Sequence, residues 1–217
     1  MAKNHTNNNV GNIEHEPMVS VIVLNYNGQH CIKDCIESLL AQSYTNREFI
    51  IVDNGSVDNS LEIIKDFIPR IRVITNSVNV GFTKGNNIGI RAAKGDLISF
   101  VNNDTRVHTD WLRHLVNYLK RNAHIGIIMG VIYYEDYPEL IWSAGGLVDL
   151  LTGMTWHIGK LRRIQELNTN IQPDYIPNCG SVIRKEVLRD VGMLNEKYFL
   201  YSEDVDLGYK IKKANYK

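Results

Sequence analysis

From Met18 onward, short apolar runs alternate with longer segments whose apolar residues recur at helical spacing. Val19 to Leu24 reads as a buried strand, and Ile32, Cys35, Ile36, Leu39 and Leu40 then fall on one face of a helix. A second strand, Glu48 to Val52, ends at Asp53. The next helix opens on Asn59, three residues before Glu62, which is capping-box spacing, and buries Leu61, Ile64 and Ile68. Ile71 to Thr75 predicts a third strand, followed by a short helix over Asn86 to Ala93 that Gly95 ends in the left-handed conformation. A fourth strand, Leu97 to Val101, runs into Asn102-Asn103-Asp104. Thr109 or Asp110 then caps a helix carrying Trp111, Leu112, Leu115, Val116 and Leu119, and Ile125 to Tyr133 predicts a fifth strand.

Four successive β-α units predict an α/β fold with a mostly parallel central sheet flanked by helices, and ligands bound beyond the C-terminal ends of its strands. Asn25 to Asn27, Asp53 to Gly55, Asn79 to Lys84 and Asn102 to Asp104 then gather along one sheet edge. Residues 135–217 are less regular. Their clearest feature is Tyr201-Ser202-Glu203-Asp204-Val205-Asp206, in which three acids open a helix that Ser202 caps and that runs towards Lys213. The polar, Asn-rich residues 1–16 read as a disordered leader without the apolar centre of a signal peptide. One domain is expected over 17–217, with halves 17–134 and 135–217.

Composition narrows the picture. With 217 residues, 44% of them apolar, the chain can bury a core without disulfides or a structural metal. Its 24 Lys+Arg balance 24 Asp+Glu, which removes the electrostatic argument for nucleic acid as a partner. No apolar run approaches the roughly 20 residues of a membrane-spanning helix. Cys31 and Cys35 lie on an apolar helix face and, with Cys179, form no paired framework, so a reducing compartment is expected. Lys210, Lys212, Lys213 and Lys217 are most simply a solvated helix face, with room for weak attraction to anionic lipid.

The first strand-to-helix turn has no GxGxxG and the chain has no GxxxxGK[ST], so neither dinucleotide binding nor a P-loop is supported. Asp53, at a strand end, can accept hydrogen bonds from a ribose hydroxyl or a base N–H, although Asp-Asn-Gly alone is more simply a turn. Asp104 can offer a carboxylate to a hard divalent cation that bridges diphosphate oxygens, against the plainer reading of a polar turn. The acids at 203–206 suit the positive end of a helix dipole; an ionised Asp aimed into a cleft can also take a proton from a sugar hydroxyl. Trp142-Ser143-Ala144-Gly145-Gly146 and Trp156 either line a sugar pocket or close a core.

Taken in order, VSVIVLNYNG, FIIVDNGSVDNS, NVGFTKGNNIGIRAAKGD, FVNNDT, SAGG and YFLYSEDVDLGYKIKKANYK closely resemble glycosyltransferase family 2, in its rhamnosyltransferase-like branch, over roughly residues 18–217. The resemblance implies a GT-A fold and metal-dependent, inverting transfer from a UDP- or dTDP-linked sugar. The acceptor is a hydroxyl of a saccharide or lipid-linked molecule, in polysaccharide or glycolipid synthesis on the cytoplasmic side of a membrane. It implies that Asn25 and Tyr26 border the base, Asp53 binds base or ribose, and Lys84 approaches the nucleotide or its phosphates. Asn103 and Asp104 match the end of a DxD-type motif, with Asp104 facing Mg²⁺ or Mn²⁺. Asp204 matches the catalytic base and Glu203 a residue that positions the acceptor, so Asp104 and Asp204 are expected on opposite sides of one cleft. Two departures stand out: the DxD-type motif supplies a single carboxylate, and the sequence stops at Lys217, where similar proteins continue with a strand and a His-bearing segment. The second motivates an alternative reading, a catalytically incomplete nucleotide-sugar-binding module.

Overall fold

The computed structural model describes residues 16–217. The expected leader lies outside the described residues except for Glu16, whose carbonyl accepts from Asn46 Nδ2 at 2.8 Å and whose carboxylate pairs with Lys120 at 3.2 Å. The first half runs β1 (Val19–Asn25), α1 (Ile32–Leu40), β2 (Arg47–Asp53), α2 (Ser60–Lys65), β3 (Arg72–Thr75), α3 (Phe82–Ala92), β4 (Leu97–Asn102) and α4 (Trp111–Arg121). The second contains β5 (Ile127–Met129), β6 (Ile132–Tyr133), β7 (Ile141–Ser143), β8 (Gly146–Val148), β9 (Thr155–His157), β10 (Ser181–Arg184), α5 (Lys185–Val191) and α6 (Glu203–Lys213).

The main sheet has six strands in the order β3-β2-β1-β4-β10-β5. β3, β2, β1 and β4 are parallel, while β10 runs antiparallel to both its neighbours. Strands covered on both faces need apolar residues at successive positions, and β1 accordingly buries all of its residues but Leu24, which is half-buried. Val21, Val23 and Ile51 pack with Ile36 of α1, Ile64 of α2 and Val116 of α4 on one face. Ile22, Ile50 and Phe100 pack with Ile90 of α3, Val187 of α5 and Ile211 of α6 on the other. Arg184, 2% exposed, turns beneath the end of α4 and donates to the carbonyls of Leu119 (2.7 Å) and Ile125 (2.9 Å), supplying partners that a helix C-terminus lacks.

Several local expectations are corrected. Asn59 precedes α2 without a side-chain cap, since its place as acceptor is taken by Asp58, which receives the Ser60 N–H at 3.0 Å. α2 ends at Lys65, leaving Ile68 exposed rather than buried. α3 begins at Phe82, four residues before the expected start, because the Phe82 N–H finds the distant carbonyl of Phe199 at 2.7 Å. Gly95 is not left-handed; a Cβ there would lie 2.6 Å from the Met18 carbonyl oxygen, so the residue serves close backbone approach. The expected fifth strand divides at Gly130 into β5 and β6, which join different sheets, and β10 was not foreseen at all. Ser202 does not cap α6 with its side chain; it sits in the left-handed region at φ +68, as Tyr201 does at +69.

Candidate active site

The C-terminal ends of β1, β2 and β4 share one sheet edge, and antiparallel β10 brings Asn178 to Gly180 to the same edge. Asn25 closes β1 with its side chain fully buried. Its amide nitrogen donates to Asp53 Oδ1 and Ser60 Oγ, each at 2.9 Å, and its oxygen accepts from Asn103 Nδ2 at 3.0 Å. The residue therefore ties the ends of three strands, a layer beneath the surface where Tyr26, 46% exposed, stands. Gly28 permits this packing: a Cβ there would come to 2.3 Å from Asn25 Oδ1.

Asp53 is 2% exposed and held by Ser56, whose hydroxyl reaches Oδ1 at 2.6 Å and whose N–H reaches Oδ2 at 3.1 Å. Next to it, buried Asn54 fixes the loop before α3, accepting from the Val80 N–H at 3.1 Å and donating to Asn79 Oδ1 at 2.8 Å. Lys84 lies exposed on the first turn of α3; the Glu196 carboxyl is held below its usual range chiefly by the hydrogen bond from Asn87, then by Arg91, with Lys84 a smaller contribution.

Asp104, exposed just past β4, stands at the rim of a cleft of roughly 610 Å³ whose lining includes Trp111, Tyr133, Tyr134, Trp142 and Cys179. Among the described residues no cluster of three His, Cys, Asp or Glu side chains can hold a metal. The donor set therefore does not build a protein-walled cage. It does fit Mg²⁺ or a similar hard cation, which keeps waters and binds through one or two carboxylates plus substrate phosphates.

The acidic pair opens α6, whose entry is fastened to α3 through the Phe199 carbonyl and a hydrogen bond from Thr83 Oγ1 to the Tyr198 carbonyl. Glu203 is 6% exposed, and burial pushes its carboxyl above the usual range. Asp204 is raised by the same cause, against the lowering effect of the Val205 N–H on its Oδ1 at 2.8 Å. Asn178 lies near enough to favour the Glu203 carboxylate, yet both Asn178 amide atoms and Glu203 Oε2 are buried without a hydrogen-bond partner. Such groups each cost about 1–3 kcal/mol unless a ligand or water meets them.

The structure does not bring Asp104 and Asp204 into one cavity. Asp204 lines a separate groove of roughly 320 Å³ with Tyr175, Ile176 and Leu207. Adjacent helix residues point about 100° apart, so Glu203 turns to Asn178 while Asp204 turns to the groove. The segment 175–180 serves both walls: Cys179 and Gly180 line the Asp104 cleft, and Tyr175 and Ile176 the Asp204 groove. Sequence reasoning passed over Asn178 and the cleft residues Tyr133 and Tyr134. The only local sign of Asn178 is a polar residue leading into the buried run Cys179 to Arg184.

The family model described as Glycosyl transferase family 2 matches residues 20–192. A Haemophilus influenzae protein named "Uncharacterized glycosyltransferase" is 31% identical over 215 residues, which is 94% of this chain and 64% of that protein. The crystal structure of S. aureus TarS in complex with UDP-GlcNAc is similar with a TM-score of 0.62 at 21% identity, covering 89% of this chain and 52% of that one. Mannosyltransferase PcManGT from Pyrobaculum calidifontis, in complex with GDP-Man and Mn²⁺, gives 0.67 at 16% identity over 94% of this chain and 54% of that one. The chain thus spans less than two thirds of the relative's length and about half of either solved chain. At these identities the two structures show the shared GT-A fold.

Proposed function

Because the chain belongs to glycosyl transferase family 2, we propose that it transfers a sugar, with inversion, from a nucleotide diphosphate sugar to a hydroxyl of a saccharide or lipid-linked acceptor. One observation carries this reading: Asp53 ends β2 and Asp104 follows β4, two places along the sheet, with the buried Asn25 tie between them. Neighbouring strands are about 4.8 Å apart, so the two strand ends stand roughly 10 Å apart. That spacing suits a ligand with a nucleoside at one end and a diphosphate at the other. The UDP-GlcNAc bound by TarS and the GDP-Man bound by PcManGT support a donor of this class.

In the proposed mechanism Asp53 accepts from the base or ribose, Tyr26 borders the base, and Lys84 brings positive charge towards the phosphates. A divalent cation held by Asp104 would supply Lewis-acid neutralisation of the leaving diphosphate. The acceptor oxygen attacks the anomeric carbon opposite the breaking bond, and a single displacement inverts that centre. The acceptor proton passes to Asp204, while Glu203, with Asn178, orients the acceptor. Burial makes both acids better proton acceptors than exposed carboxylates. Since Asp104 and Asp204 border different cavities, the reacting atoms belong at the junction formed by segment 175–180.

That separation also favours a second reading, a donor-binding module without catalysis. Incubation with UDP-, dTDP- and GDP-sugars, Mn²⁺ and a panel of methyl glycosides separates the two. Nucleotide diphosphate release coupled to a new glycosidic bond is the expected result, whereas donor binding with no release supports the module.

The reaction is assigned to the cytoplasmic side on the strength of three free cysteines, Cys31, Cys35 and Cys179, as a reducing compartment allows. Among the described residues no helix is long and apolar enough to cross a membrane. Any peripheral membrane contact is assigned to the lysines of α6, of which Lys210 and Lys212 already pair with Asp206 (2.6 Å) and Asp174 (2.5 Å).

A further inference from the structure

We propose that Trp111, Tyr133, Tyr134 and Trp142 form a subsite for a saccharide ring of the acceptor. The proposal rests on the glycosyltransferase reading and gives its acceptor a chemical class: a sugar, not a bare lipid alcohol. The roughly 610 Å³ cleft is lined by all four rings and lies within the usual range of small-molecule sites, about 300–1,000 Å³.

The order of strands sets the direction. Along β2-β1-β4-β10-β5 the nucleoside end belongs at Asp53 and the diphosphate at Asp104. The aromatic wall, built from Trp111 at the start of α4, Tyr133 and Tyr134 after β5, and Trp142 on β7, shares its cleft with Asp104 and with Gly130 and Gly180 beside β5 and β10, on the side of β4 away from Asp53. A ring bound there is on the sugar and acceptor side of the breaking bond.

The chemistry of the wall selects its occupant. Aromatic faces complement the C–H faces of a sugar ring, and their polar tips complement its hydroxyls. Among the described residues the indole N–H groups of Trp111 and Trp142 and the hydroxyls of Tyr133 and Tyr134 make no hydrogen bond. A hydrocarbon chain laid along this wall would cover four polar groups without replacing their water contacts, which is unfavourable. The wall is also held in place. The Trp111 indole rests against Gly130, where a Cβ would lie 3.3 Å from Trp111 Cδ1. Trp142 packs on His157 with centroids 4.5 Å apart, and His157 Nδ1 is 3.0 Å from the buried Ser143 hydroxyl.

Saturation-transfer NMR and tryptophan fluorescence with a panel of methyl glycosides test the subsite in the whole chain. At least one glycoside should bind the wild type with transfer from aromatic protons. Trp142→Ala should weaken that binding at least tenfold, and Tyr133→Ala, at a 40% exposed position, provides a second variant with little risk to folding. Trp156→Ala, outside the cleft, should leave it unchanged. Thermal shifts by UDP or GDP with Mn²⁺ should persist in Trp142→Ala. Absence of binding by every glycoside, binding indifferent to both cleft variants, or preferential binding of dodecanol overturns the proposal. If UDP and GDP shift no variant while glycosides still bind the wall, the donor reading fails and the saccharide subsite stands.

Discussion

Asn25, Glu203 and Asn178 show how far a residue's type and its neighbours in the chain define its role. Asn25 looks like a loop residue, yet its side chain is fully buried and joins Asp53 to Asn103. Asp53, Asp104 and the acidic pair stand out in the sequence because carboxylates follow apolar runs; the Asn178 amide does not, because its neighbour Glu203 is far along the chain. Asp204→Asn should reduce transfer by about 10²–10⁴-fold while donor affinity is retained, read from initial rates and a binding titration. If Asp204→Asn stays active and Glu203→Gln does not, the two roles are exchanged. In the wild type kcat/KM should rise with pH through a pKa above the 3.8 of an ordinary Asp, because burial raises Asp204 and the base must be ionised. Stability responds in the opposite sense. Glu203 is raised above 4.5, so the folded state binds its proton more tightly than the unfolded chain does. The stabilisation is complete below the unfolded pKa and is lost as pH rises through the folded one. Glu203→Gln should therefore melt higher than wild type at pH 8, by about 2–4 °C per kcal/mol relieved, with the gap closing below pH 4.5. A gap independent of pH contradicts this assignment.

At the scale of elements, local pattern located the elements better than it located their ends. β1 and β4 fall within a residue of expectation because continuous apolar runs suit strands covered on both faces. α3 is longer than its local pattern predicts because its first turn is completed by the carbonyl of Phe199, which no local pattern shows. β10 was missed because a strand of four residues carries little periodic signal, and its Arg184 reads as polar until its buried contacts with α4 are known. Gly89 in α3 exposes the conflict between propensity and packing. Alanine is the better helix former by about 1 kcal/mol, but a Cβ there would lie 2.5 Å from Cγ2 of buried, β-branched Ile22. Overpacking costs typically 1–3 kcal/mol, so Gly89→Ala should lower the urea midpoint rather than raise it. An unchanged or higher midpoint would show that α3 can lift off β1 freely.

Across the whole molecule, the parallel strands set Asp53 and Asp104, the acids proposed to meet the nucleoside and the diphosphate, on one edge, and antiparallel β10 extends that edge towards the aromatic cleft. The α/β architecture was legible from alternating strand and helix patterns, and it is the basis for proposing the site at that edge. The division into two cavities was not, because it depends on the rotation of α6 about its own axis. The central claim is that the Asp53–Asp104 edge binds a nucleotide diphosphate sugar, and native-state binding raises the melting temperature. The most direct measurement is a thermal-shift series with UDP-, dTDP- and GDP-sugars, with and without Mn²⁺, on wild type, Asp53→Ala and Asp104→Ala. The account predicts that at least one donor raises the wild-type melting temperature, that Mn²⁺ enlarges the rise, that Asp53→Ala loses the rise, and that Asp104→Ala loses the metal enhancement. No shift with any donor, or the same shift in all three proteins, would contradict it.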